Sequence, residues 1–72
     1  MKTRICLIKT NYETETPTVT YRTFPNEIRA LEYFNEYRDE FVLCDVVIAE
    51  QKKGLFSRTW KTVRVIKSNW GV

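Results

Sequence analysis

Hydrophobic and polar positions along this chain change period twice, and the changes mark its elements. Residues 3–9 (Thr-Arg-Ile-Cys-Leu-Ile-Lys) are apolar on both sides at their centre, which predicts a strand in the interior of a sheet. Residues 10–17 are polar and end in Pro17, a hairpin loop. Residues 18–24 (Thr-Val-Thr-Tyr-Arg-Thr-Phe) are β-branched and aromatic with polar alternation, and make a second strand at an edge. Pro25-Asn26 then punctuates the chain. Asn26 can accept a backbone N–H from a first helical turn, and Glu27 would meet the positive end of the helix dipole. From Glu27 to about Asp39 the period is helical: Ala30, Leu31, Phe34, Tyr37 and Phe41 recur at three- and four-residue intervals and predict one buried stripe.

Period two returns at residues 41–50, the strongest strand signal in the chain. Val42, Cys44, Val46 and Ile48 fall on one face there, and Leu43, Asp45, Val47 and Ala49 on the other. Residues 51–58, with Gly54 among them, read as a hairpin loop, residues 59–67 as the last strand, and residues 68–72 as a short tail carrying Trp70. The order is β-β-α-β-β. Two hairpins joined by a helix predict an α+β fold: a four-stranded antiparallel sheet, first and third strands central, with one helix packed on one face. One helix cannot cover both faces. With Leu43, Val47 and Ala49 on the second face, that face is part-apolar and marks an interaction surface.

Charge sharpens this picture. Residues 1–26 hold four cations and two acids, residues 27–50 hold two cations and seven acids, and residues 51–72 hold six cations and no acid. A net charge of +3 therefore hides an acidic middle and a wholly basic last third. Segregated charge bears on partner choice and encounter rate rather than on fold. The length, 72 residues, allows a single domain spanning residues 1–72. Its small core supports roughly 3–5 kcal/mol of stability, so homodimer formation is a natural supplement.

No stretch approaches the roughly 20 apolar residues a membrane span requires. The apolar run Ile5-Cys6-Leu7-Ile8 stops at Lys9, too short for a secretory core segment, so the chain is expected to be cytoplasmic. Cys6 and Cys44 lie among aliphatics and read as buried thiols rather than as a disulfide or zinc ligands.

Little in the chain suggests catalysis. There is no histidine, which removes the commonest general base and the usual nitrogen ligand of metal sites. Glu32, Glu36 and Glu40 follow at four-residue steps and read as a solvated helix ridge rather than a cation site. Asp45 is the one acid placed for partial burial, and a Lys or Arg on a neighbouring strand is its expected partner. No phosphate loop, nucleophile elbow or metal-ligand motif appears, so neither enzyme activity nor a cofactor is expected.

Binding chemistry concentrates in the last hairpin. Lys52, Lys53, Phe56, Arg58, Lys61 and Arg64 are the candidate protein-binding residues, because aromatics and arginine dominate interface hot spots. The alternative is a nucleic-acid surface of Lys52, Lys53, Arg58, Trp60, Lys61, Lys67 and Trp70, with cations on phosphates and indoles stacking on bases. Strand alternation sends Lys61 and Lys67 to one face and Trp60 and Arg64 to the other. A Trp60 packed into the core, beside lysines that merely protect an edge strand, is the competing structural expectation.

In layout the chain resembles small accessory proteins of bacteriophages, among them a type I-F anti-CRISPR inhibitor. The shared features are a Met1-Lys2 start into the aliphatic strand Ile5-Cys6-Leu7-Ile8, a polar hairpin, one helix and a closing hairpin. The resemblance spans nearly the whole chain and is one of order and length. It implies a non-enzymatic inhibitor, acting inside the bacterial host cell, that binds a host or defence complex with basic residues set in a nucleic-acid path. It assigns no individual residue a role.

Overall fold

Strands and helix form in the expected order, and their pairing sets which side chains meet. The computed structural model describes residues 1–70; Gly71 and Val72 of the expected tail lie outside the described residues. The elements are β1 (Lys2–Asn11), β2 (Thr18–Phe24), α1 (Glu27–Glu36), a 3₁₀ turn (Arg38–Phe41), β3 (Cys44–Lys53) and β4 (Lys61–Ser68). The sheet order is β2-β1-β3-β4 with every neighbour antiparallel, so β1 and β3 are central. The shortest principal extent is 19 Å, the thickness of one helix on one sheet.

The helix starts where its cap dictates. Asn26 is extended, with φ −159°, and its Oδ1 accepts the Arg29 backbone N–H at 2.9 Å, relieving one unpaired donor of the first turn. The helix stops at Glu36, three residues short of the expected end. No basic residue occupies its last turn, while Glu36, Asp39 and Glu40 crowd the negative end of the dipole, so continuing the helix is unfavourable there. The chain tightens instead into the 3₁₀ turn, which carries Phe41 into the core with its ring 5.7 Å from that of Phe34.

Leu7, Ala30, Phe34, Phe41, Val46 and Ile48 form that core, with Ile5, Phe24, Leu31, Tyr33, Cys44 and Ile66 packed at its border. Tyr37 departs from the expected stripe: it is exposed at the rim, its ring 4.5 Å from Tyr33. Arg22 of β2 stacks on Tyr33 at 4.5 Å and ties the outer strand to the helix.

β3 begins three residues later than the pattern suggests. The 3₁₀ turn takes Phe41, so Val42 and Leu43 lie in the following bend and are exposed, Val42 to 79%. Neither contributes to a sheet face. Pairing to β1 runs from Asn11↔Cys44 to Lys2↔Lys53, and β1 length therefore sets β3 length. Asn69, just past β4, fastens the start of β3. Its Oδ1 accepts the Val46 N–H at 2.9 Å, and its Nδ2 donates to the carbonyls of Cys44 and Phe41 at 2.8 and 3.2 Å.

Candidate functional site

One end of the sheet gathers the basic residues. Pairing places Lys2 directly opposite Lys53, and Lys52 directly opposite Lys61. Like charges facing each other across a ladder oppose folding. The pairs occupy adjacent rungs, Lys2 and Lys53 on the open face and Lys52 and Lys61 on the helix side, and with exposed Arg58 in the adjoining loop they make this end of the sheet positive. Among the described residues no carboxylate forms an ion pair with Lys2, Lys52, Lys53, Arg58 or Lys61. The nearest acid along β3, Glu50, is already bonded to Arg64 at 3.2 Å.

The loop joining β3 to β4 runs through residues 54–60 and is held from below. The Ser57 N–H donates to the Gly54 carbonyl at 3.2 Å, the Ser57 hydroxyl donates to the Thr59 carbonyl at 3.0 Å, and the Thr59 N–H returns to the Ser57 Oγ at 3.2 Å. These bonds hold the loop into a tip on which Leu55 and Phe56 stand 83% and 100% exposed. Beneath the tip, Met1, Lys52, Gly54, Ser57, Thr59, Lys61 and Val63 line a recess of about 350 Å³.

Trp60 anchors the hairpin base on the sheet face away from the helix. The Arg4 guanidinium lies 4.3 Å from its ring centroid and the Lys53 ammonium 5.5 Å. Arg4 Nε donates to Gln51 Oε1 at 2.8 Å, and Gln51 Nε2 donates to the Thr62 hydroxyl at 3.3 Å. A continuous polar ladder thus crosses β1, β3 and β4. Trp60 is part of this brace, not of the hydrophobic core and not a free stacking surface.

The expected alternation of β4 holds for Lys61 and Lys67, which share a face, and for Trp60 on the other, but not for Arg64. Two bulges against β3, at Ile48/Ala49 and Glu50/Gln51, each insert a residue and shift the facing of those that follow. Lys61, Arg64 and Lys67 consequently pair with Lys52, Glu50 and Ile48 on the helix side. Arg64 bonds Glu27 of α1, and Lys67 lies 5.5 Å from the Phe34 ring centroid. So Lys52, Lys53, Phe56, Arg58 and Lys61 converge on the basic end, whereas Arg64 and Lys67 are drawn towards the helix. Trp70 is exposed beyond β4.

Lys2 and Arg4 join the site although sequence reasoning confined it to residues 52–70. Only the β1–β3 register brings them beside Lys53 and Gln51; neither carries a local signal.

At the far end of the central strands, Asp45 accepts a hydrogen bond from the Tyr12 hydroxyl at 2.8 Å. That corrects the expected Lys or Arg partner: β1 offers Thr10 opposite Asp45, and the β1–β2 loop supplies the donor. The bond favours the neutral phenol and raises the Tyr12 pKa. Burial raises the Cys6 thiol pKa, against smaller opposing effects of the Arg4 charge and a backbone hydrogen bond from Arg22. Both cysteines are free; Cys6 lies on the open face and Cys44 borders the core beneath the helix. Among the described residues no cluster of His, Cys, Asp and Glu could hold a metal ion, and no helix is long and apolar enough to cross a membrane.

No protein-family model, curated protein or solved structure matches this chain.

Proposed function

We propose that this chain is a small non-enzymatic binding module whose β3–β4 hairpin grips an acidic surface of a protein partner. The observation that carries the reading is the tip: Leu55 and Phe56 stand clear of the domain on a hairpin whose stems and loop carry Lys52, Lys53, Arg58 and Lys61. A fully exposed aromatic gains by insertion into an apolar recess, and the surrounding cations match carboxylates at its rim. The ordered loop beneath keeps the tip presented, which lowers the entropy lost on binding.

Nucleic-acid binding through the same end is the weaker reading. Trp60 is engaged by Arg4 and Lys53. The open face of the central strands, Arg4, Cys6, Ile8, Thr10, Asp45, Val47, Ala49, Gln51 and Lys53, offers no aromatic platform for bases. Following its resemblance in element order and length to anti-CRISPR proteins, the module acts in this reading as a phage-encoded inhibitor. It would block a host or defence complex in the bacterial cytoplasm by occupying a binding surface.

The test is affinity capture from bacterial lysate with and without nuclease, run beside Phe56→Ser and the Lys53→Glu/Arg58→Glu double variant. A discrete protein retained after nuclease and lost with either variant supports the reading. Recovery that vanishes with nuclease, or that both variants leave intact, overturns it.

A further inference from the structure

The two edges of the sheet are treated differently. β4 is interrupted by two bulges and carries Lys61, Arg64 and Lys67, the usual devices that stop an edge strand from recruiting another chain. β2 has no bulge and a single charge. Its seven residues pair with β1 in one unbroken register from Thr18 to Phe24. Its single charge, Arg22, is folded onto Tyr33. The outer row of backbone N–H and C=O groups of β2 is therefore a straight, uncharged template.

We infer that β2 pairs with β2 of a second copy, antiparallel and centred on Tyr21, to make a continuous eight-stranded sheet. The strand is self-complementary about that residue. Pro17 and Pro25, the only prolines in the chain, each stand four positions from Tyr21 and end the ladder equally on both sides. With Tyr21 on the dyad, Val19 meets Thr23 of the other copy, and Arg22 meets Thr20, so no like charges oppose. Val19 and Tyr21 lie on the open face beside Thr10 and Ile8, and both are exposed, Tyr21 to 61%. Pairing stacks the two Tyr21 rings and joins the apolar strips of Ile8 and Val47 across the dyad.

This edge is independent of the basic hairpin. In the paired sheet the two β4 strands stand at the outer edges, seven strand spacings or about 34 Å apart. A module that holds one contact weakly would then present two hairpins at once.

Residue 21 faces itself in this register alone, which makes the test specific. The chain should sediment as a dimer of its 8.6 kDa protomer. Tyr21→Lys and Tyr21→Glu, each placing like charges on the dyad, should each sediment as monomers, and an equimolar mixture of the two should recover the dimer. Far-UV circular dichroism reports that the variants fold; should they not, the double variants Val19→Lys/Thr23→Lys and Val19→Glu/Thr23→Glu, each of which sets like charges across the flanking pairs, repeat the test alone and mixed. A chain that is monomeric at every concentration overturns the proposal, whether β2 is then idle or takes a peptide from another protein. Dimers that persist in both Tyr21 variants, or fail to reform in either mixture, overturn it as well.

Discussion

Arg64 lays its guanidinium along the Glu27 carboxylate, Nη1 to Oε1 and Nη2 to Oε2 at 3.3 Å each, while its Nε reaches Glu50. One arginine on β4 thus clamps the first turn of α1 and the neighbouring strand. These bonds, Glu27 first, raise the Arg64 pKa, so the charge is present at any working pH. Replacing Arg64 by Ala should leave partner binding unchanged and lower the melting temperature slightly, since exposed ion pairs contribute little. Calorimetry of binding and of unfolding on the same variant checks both halves.

Phe56 is the opposite case. It touches nothing that folding requires, so Phe56→Ala should change stability by less than about 0.5 kcal/mol. Loss of a hot-spot aromatic should cost at least about 2 kcal/mol of affinity, roughly thirtyfold. Urea unfolding beside titration of the captured partner separates the two effects. Equal affinities for wild type and variant would remove the tip from the interface.

The core leaves little margin. Phe34 is buried against Phe41 and the sheet, so Phe34→Ala should cost about 3–5 kcal/mol, comparable with the whole stability of a domain this size. Loss of cooperative thermal unfolding in that variant is the expected result.

Asn69→Ala should cost less, about 1–3 kcal/mol, by leaving the N–H of fully buried Val46 without its acceptor. Hydrogen exchange offers the sharper readout: the Val46 amide should lose protection in the variant more than amides at the middle of β1.

Alkaline solution should destabilise the fold through two groups. Cys6 and Tyr12 both have folded pKa values raised above their ordinary 9.0 and 10.0, so folding favours the neutral thiol and the neutral phenol. Each contribution is fully present below the ordinary value and is lost as pH rises through the raised one. Stability should therefore hold up to about pH 9 and fall above it. Asp45→Asn should return the Tyr12 titration, followed by tyrosinate absorbance, towards 10.0. An unchanged titration would show that Asp45 does not hold that phenol.

Much of the architecture was legible because local rules agree with it. The β2 limits at Thr18 and Phe24 follow from flanking prolines, and the α1 start at Glu27 follows from the Asn26 cap. The end of the helix was harder to read. Its apolar spacing continues to Phe41, and only the carboxylates at its C-terminus and the need to enter β3 turn that last residue into a 3₁₀ contact. Hydrophobic period reports which residues want burial, not which backbone form delivers them.

By itself, then, the sequence determined the β-β-α-β-β order, the burial of Ala30 and Phe34, the exposed helix acids Glu32 and Glu36 (though not Glu40, which lies in the 3₁₀ turn) and a basic last hairpin, because period, capping and charge are local properties. Tertiary structure alone decided which cations share a surface. The β1–β3 register brought Lys2 and Arg4 to the hairpin, and the bulge before Arg64 turned that residue to the helix side, which Lys61 and Lys67 already shared. Facing across a strand depends on counting residues in step with a partner strand, and one inserted residue reverses that count without leaving a mark in the chain's own alternation.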